Sequence, residues 1–323
     1  MSAPTYTAAM DEALGRLTHI GFDQGGRFAS HAPMAAEALA ALGFTDAVSD
    51  WVEWSKTARR YSSEPTPTAR IDVGDESAWR SCLGRYRRAA DWAATFETQI
   101  SEHGWHEVLI TWWPRLVPGL SGALTHGLIR TAHAVRGVSA TPEPTPLQLR
   151  ELAHGLGYWA AVYTPLGTGL LGRRRPAAAA DIRTDVIDSA LSDLTARNAG
   201  IYASSTMSHP VPLVHTITAP SAVRLVLEHL PTDQHAPSYL AVLQASEALL
   251  ARFGTRGMGC PDGTPTEPEP AHLRLDLLAA EAAQLRDEHA IKLAEAASRE
   301  YAVRNDIRYL SASWALMERL KRF

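Results

Sequence analysis

Lysine is almost missing from this chain. Only Lys56, Lys292 and Lys321 occur among 323 residues, while lysine and arginine together number 31. Cysteine is equally scarce. Cys82 and Cys260 stand alone, which excludes a disulfide framework or a CxxC site and fits a cytoplasmic location. No excess of basic charge exists: 35 acidic residues leave a net charge of −4, and no basic stripe with interleaved aromatics is present, so nucleic acid is not an expected partner. Long apolar runs are also lacking. The most apolar stretch, Val108 to Ile129, is interrupted by Arg115, His126 and two prolines, so no membrane span is expected. The N-terminus carries acids where a signal peptide needs a basic region and an apolar run. Finally, no alternating apolar run is long enough to seed a sheet.

What remains is helical periodicity. Expected helices are Tyr6–Leu17, Ala32–Leu42, Ala47–Thr57, Trp79–Glu102, Gly119–Arg136, Pro146–Tyr163, Ala180–Ala196, Ala219–Leu230, Ser238–Phe253, Ala271–Ala302 and Asp306–Lys321. Proline-rich linkers at Ser62–Thr68, Ala140–Pro146 and Pro261–Pro270 punctuate them. The expected fold is all-α, one compact multi-helix domain over residues 1–323. A faint similarity between His126–His133 and His289–Ala296, and between Ser30–Gly43 and Thr216–Leu230, would make it a pseudo-duplicated bundle around a buried metal site.

Within this frame His289 and Lys292 stand out. The stripe Leu278, Ala282, Leu285, His289, Lys292, Ala296 is the inward face of a helix with two ionisable groups at its centre. A buried ammonium costs several kcal/mol unless paired or neutralised, on the order of the general penalty for buried charge. Lys292 has an ordinary reading as an ion pair with Glu288 or Glu295, and a sharper one as a neutral amine modified by carbon dioxide. An ammonium has no lone pair to offer a cation, whereas a carbamate is an anionic oxygen ligand.

The chain has 13 histidines, and several occupy apolar settings. His31 opens an alanine-rich helix, His126 and His133 share a helix face, and His215 follows Val211-Pro-Leu-Val. Each alone is an ordinary core histidine; together they suit an imidazole metal site assembled from distant helices. No local metal signature supports this, since His106-Glu107-Val-Leu-Ile110 fails the HExxH pattern and no Cys/His finger or acidic calcium loop occurs. Gly167-Thr-Gly-Leu-Leu-Gly172 spells GxGxxG, but a helix precedes it and Arg173-Arg-Arg-Pro176 follows, so it reads as a loop. Trp112, Trp113, Tyr158 and Trp159 are candidates to line a flat aromatic substrate pocket, or equally core aromatics.

Five segments resemble the questin oxidase-like family, in the family's order and across almost the whole chain. They are Ser30-His-Ala-Pro-Met-Ala-Ala-Glu-Ala-Leu, Pro118-Gly-Leu-Ser-Gly-Ala-Leu-Thr-His-Gly-Leu-Ile-Arg130, Gly157-Tyr-Trp-Ala-Ala-Val-Tyr163, Pro212-Leu-Val-His-Thr-Ile-Thr-Ala-Pro-Ser-Ala-Val-Arg224 and Asp287-Glu-His-Ala-Ile-Lys-Leu293. The resemblance implies an iron-dependent oxygenase that oxidises an aromatic, polyketide-type molecule with O2, by ring cleavage or Baeyer–Villiger-like insertion. It implies Fe(II) held by His31, His126, His215, His289 and carboxylated Lys292, with His133 as the alternative to His126. His289 and Lys292 would be central to catalysis. NADPH is a candidate external reductant, and a homodimer is compatible with the reading. Two other readings stay open: a metal-dependent hydrolase using a carboxylated lysine, and a non-catalytic helical scaffold.

Overall fold

The computed structural model describes residues 3–26, 28–172, 183–205, 210–254 and 271–322. Its helices in chain order are α1 (Tyr6–Arg16), α2 (Ala32–Ala41), α3 (Val48–Ala58), α4 (Glu76–Cys82), α5 (Ala89–His103), α6 (Trp105–Leu116), α7 (His126–Ser139), α8 (Pro146–Val162), α9 (Ile187–Ser204), α10 (Pro210–Leu227), α11 (His235–Phe253), α12 (Ala271–Leu285), α13 (Glu288–Arg304) and α14 (Ile307–Leu320). The all-α class is therefore observed. The linker at Pro261–Pro270, together with Cys260, His209 and Arg173–Pro176, lies outside the described residues.

Side-chain caps mark the starts of five helices, α1, α4, α8, α13 and α14. Thr5 caps α1 by accepting from the Ala8 N–H. At α8 the Thr145 hydroxyl accepts from the Gln148 N–H while the Gln148 side chain accepts from the Thr145 N–H, and Pro146 occupies the first helical position.

The structure departs from the sequence expectation in several helices and in a small sheet. Ala180–Ala196 is found instead as Ile187–Ser204, residues 180–182 lying outside those described. Trp79–Glu102 is two helices, because Gly84 takes a left-handed φ of 68° between α4 and α5. Helix α6 was not anticipated; Gly104, also left-handed, separates it from α5. Gly119–Arg136 becomes helical only from His126. Ala219–Leu230 begins earlier, at Pro210, so His215 lies inside a helix. Ala271–Ala302 breaks at Arg286, whose φ is 60°, and restarts at an Asp287 cap. A small antiparallel sheet also exists, order β2-β1-β3, formed by β1 (Ile20–Gln24), β2 (Phe28–Ala29) and β3 (Tyr61–Ser63). Its strands are too short to carry an alternation signal.

Three apolar clusters fill the interior. One joins α4 to α8 with α10 and α11, a second joins α9, α10 and α12 to α14, and a third joins α1 to α3. Helices α2, α7, α10 and α13 lie where these clusters meet. Helix α2 packs on α7 and α13, and α10 packs on the same two, closing a ring of four. Helix α10 is long and apolar enough to cross a membrane by length and composition, yet 78% of that stretch is buried against neighbouring helices. It is packed as a core helix.

Candidate metal centre

The ring of four helices brings together four of the expected histidines. His31 occupies the N-cap position of α2, His126 is the first residue of α7, His215 sits in α10, and His289 is the second residue of α13. All four are buried. The Nε2 atoms of His31 and His126 are 2.7 Å apart, and those of His126 and His215 are 3.1 Å apart. Ring centroids of His31 and His289 lie 4.7 Å apart, and those of His215 and His289 5.9 Å. His31, His126 and His289 each offer a ring nitrogen within 4.8 Å of the others.

Each ring's other nitrogen faces an oxygen. His126 Nδ1 donates to the Ala123 carbonyl, and His215 Nδ1 lies 3.2 Å from the Pro212 carbonyl. The Nδ1 atoms of His31 and His289 lie 3.8 Å from carboxylate oxygens of Glu288 and Asp287, respectively. Glu288 is itself held by Arg59 at 2.8 Å and Gln24 at 3.1 Å. Outer hydrogen-bond partners fix tautomer and ring orientation in metal sites, and here the carbonyls do so for His126 and His215. The 3.8 Å carboxylates are too far to bond His31 and His289, and the buried Nδ1 of His31 has no partner among the described residues.

The tautomers have a sharp consequence. A carbonyl oxygen only accepts, so His126 and His215 each carry their proton on Nδ1. In the neutral rings both Nε2 atoms are then bare lone pairs, 3.1 Å apart. Protonation does not relieve this. Burial first, then the charge of Lys292, push the His215 ring down to about 3; burial, then His215 and Lys292, hold His126 well below its ordinary value. His31 Nε2, 2.7 Å from His126 Nε2, can donate to that one nitrogen but leaves His215 Nε2 facing it without a donor, whereas an electrophile shared by the rings satisfies them all. The spacing fits a metal ion. Nitrogens bound at right angles about 2.1 Å from one ion stand roughly 3.0 Å apart, and those of a tetrahedron about 3.4 Å. The observed 2.7 and 3.1 Å match the right-angled arrangement. The buried Nε2 of His289 has no hydrogen-bond partner among the described residues and is available as a further donor.

Lys292 lies one turn beyond His289 and is also buried. Neither expected ion pair forms: Glu288 goes to Arg59, and Glu295 goes to Arg136 and Arg299. Among the described residues no carboxylate comes within 4.0 Å of its amine. Burial, only partly opposed by the more distant charges of Glu288 and Asp287, pushes the ammonium down to about 8. The α2, α7 and α13 N-termini, with their partial positive charge, point into the same region and favour an anion over a second cation there.

The backbone before His126 is unusual. Ala123, Leu124 and Thr125 take φ values of 47°, 54° and 70°, three left-handed residues in succession and none of them glycine. Left-handed geometry costs such residues about 1–2 kcal/mol each. The turn brings the Ala123 carbonyl back onto the ring of His126 and so sets its tautomer.

The remaining expected residues are elsewhere. His133 turns away from the four rings and binds Glu37 at 2.5 Å. Trp112, Trp113, Tyr158 and Trp159 are packed into the largest apolar cluster. Trp112 meets Trp79, Trp92 and Phe96 at 5.0–5.4 Å between centroids, Trp113 meets Trp159 at 5.1 Å, and Tyr158 stacks on Phe22 at 6.3 Å. They form solid core in this conformation, not the walls of a flat cavity. Gly167–Gly172 is a loop ending in one 3-10 turn after α8, as expected. Missed by sequence reading was His154, buried against Phe22. Glu288, read as a partner for Lys292, instead lies 3.8 Å from His31, and Asp287, given no role in the sequence, lies 3.8 Å from His289.

Comparison of the chain with protein-family models and with characterised proteins found no match to either.

Proposed function

We propose that this protein is a mononuclear non-haem iron oxidoreductase that uses O2. The observation that carries this reading is the pair of bare Nε2 lone pairs on His126 and His215, held 3.1 Å apart by carbonyl-fixed tautomers. His31, His126, His215 and His289 would hold the ion, and imidazole donors at right-angled spacing suit iron better than a closed tetrahedral zinc site. Iron(II) so bound would supply the electrons that make O2 reactive toward an electron-rich ring.

This chain's own residues do the rest. The helix ring buries the site and keeps bulk water from it. The Ala123 and Pro212 carbonyls orient two of the imidazoles, while Glu288 and Asp287 place negative charge 3.8 Å from the other two. Lys292 has an amine close enough to neutrality, about one in ten molecules at pH 7 for a group titrating near 8, to attack carbon dioxide. The ammonium first loses one proton to become the amine, and the new N–C bond to carbon dioxide releases a second, so that two protons leave as a cation is replaced by an anionic oxygen donor beside the four rings.

The substrate class, an aromatic polyketide-type small molecule, rests on the resemblance to the questin oxidase-like family, as does NADPH as external electron donor. A cytoplasmic location rests on the isolated cysteines. A hydrolase with a lysine carbamate bridging two metals needs a second ligand cluster; the group of His31, His126 and His289 is the one found among the described residues. A scaffold reading leaves the facing lone pairs without a purpose.

The test is metal analysis of protein purified without chelator, then oxygen uptake with hydroquinones of increasing ring number. One iron per chain and ring-dependent uptake are expected. Protein that binds no transition metal tightly overturns the reading, and zinc with no oxygen uptake moves it to hydrolysis.

A further inference from the structure

Each helix that supplies an imidazole carries a second polar residue six or seven positions later. His31 is followed by Glu37, His126 by His133, His215 by Ser221 and His289 by Glu295. At 1.5 Å per residue the offset is roughly 9–10 Å along each helix. These second residues form a connected layer. Glu37 accepts from the Tyr6 hydroxyl at 2.5 Å, from Arg136 Nε at 2.6 Å and from His133 Nδ1 at 2.5 Å. Arg136 reaches on to Glu295 of α13. Arg299 bonds the same Glu295 at 3.0 Å and donates to the Ser221 carbonyl of α10 at 2.8 Å. So α2, α7, α13 and α10 are tied in turn.

Arg136 is the clasp. Its guanidinium joins a carboxylate of α2 to one of α13, and it projects from α7, the helix that carries His126. Burial alone would raise both carboxylates. The Arg136 charge and the His133 bond hold Glu37 at about 2, while Arg136 and Arg299 keep Glu295 far below its usual range. Burying two carboxylates against two half-buried guanidiniums is a poor route to stability, since apolar groups of equal volume often do as well. What such a layer supplies is a unique alignment. Interlocked carboxylates and guanidinium permit one axial register, and helices sliding by an ångström would part nitrogens now about 3 Å from each other.

We infer that Arg136 is a positioning residue: by clasping Glu37 and Glu295 it sets the register at which His31, His126 and His289 face one another. The inference rests on the metal reading above, and the experiment separates the two. The probe is Co(II), with affinity measured by chelator competition and geometry by its visible d–d absorption, alongside the melting temperature of the metal-free protein. The variants are Arg136→Lys, which keeps the charge but not the two-sided fork, and the neutral triple Glu37→Gln/Arg136→Met/Glu295→Gln, which leaves no buried charge unpaired.

Both variants should still bind one Co(II), about 10–100-fold more weakly, as when outer partners of metal ligands are lost, and with a changed d–d spectrum. Arg136→Lys should lie between wild type and the triple variant. Wild-type affinity and spectrum in either folded variant overturn the inference and leave the metal reading intact, whatever the melting temperature does. If the triple variant does not fold, Arg136→Lys decides. Wild-type protein that binds no Co(II) overturns both.

Discussion

His126 and His215 present unprotonated Nε2 atoms to each other across 3.1 Å, each ring locked by a main-chain carbonyl at its far nitrogen. Even where His31 donates to His126 across 2.7 Å, the metal-free protein leaves the His215 Nε2 facing a lone pair with no donor of its own. His215→Leu should abolish tight metal binding while raising the melting temperature of the metal-free form, the relief being on the order of 1–3 kcal/mol for an unsatisfied buried group. A large loss of metal-free stability in that variant would show that the two rings share a proton instead.

Lys292 makes a second prediction. Lys292→Arg cannot form a carbamate and restores a permanent cation, so it should lower metal affinity more than Lys292→Met does. Calorimetric titration at pH 7 in two buffers of different ionisation enthalpy should show about one proton released per metal in bicarbonate, and fewer without it. Equal proton release with and without bicarbonate contradicts carboxylation.

Acid should unfold the metal-free protein early. The four imidazoles titrate at about 6.5 when unfolded but well below that when folded, His215 at about 3. As pH falls from 6.5 the unfolded chain takes up protons that the folded one refuses, so stability drops. Glu37, held at about 2, adds a further loss below its unfolded value of 4.5. Lys292 acts at the other end: between about 8 and 10.5 the unfolded chain is the more protonated, so stability rises with pH there. Urea midpoints from pH 4 to 10 check this; a profile flat from pH 4 to 6.5 contradicts the buried, neutral imidazoles.

The left-handed turn can be probed at Ala123, which is exposed and has φ 47°. Glycine accepts this geometry freely. Ala123→Gly should stabilise the protein by up to about 1 kcal/mol, net of the entropy glycine adds to the unfolded chain. Metal affinity should persist, because the bond to His126 comes from the backbone carbonyl. A fall in stability of similar size would show that the turn is not left-handed in solution.

Trp112 tests the aromatic core. Trp112→Ala removes a buried indole wedged among Trp79, Trp92 and Phe96. It should cost about 3–5 kcal/mol, as large-to-small core changes do, without altering Co(II) affinity or spectrum. A changed spectrum at unchanged stability would place this residue at the metal centre after all.

The helices and the imidazoles were legible for one reason: a polar residue inside an apolar period is visible without coordinates. His289 and Lys292 interrupt such a stripe, and His31 opens one. The same stripe concealed its own break, because Arg286 turns left-handed with no glycine or proline to mark it. His215 was placed before its helix, since Pro212 and Pro220 read as boundaries where the structure tolerates both within α10. The tryptophans could not be divided between core and cavity, because burial among aromatics looks the same in sequence either way. Glu37 was not singled out, and Glu295 was read only as a partner for Lys292, for a different reason: glutamates on alanine-rich helices resemble solvent-facing residues. Their spacing from His31 and His289, six residues on each helix, was the signal that could have found them.

The four rings come from positions as far apart as 31 and 289. No proteolytic fragment or partly synthesised chain short of α13 contains the complete set. If the four rings hold an ion as proposed, its full set of ligands forms only once α13 has been made, and the ion would act as a late bolt across the first and last thirds of the polypeptide.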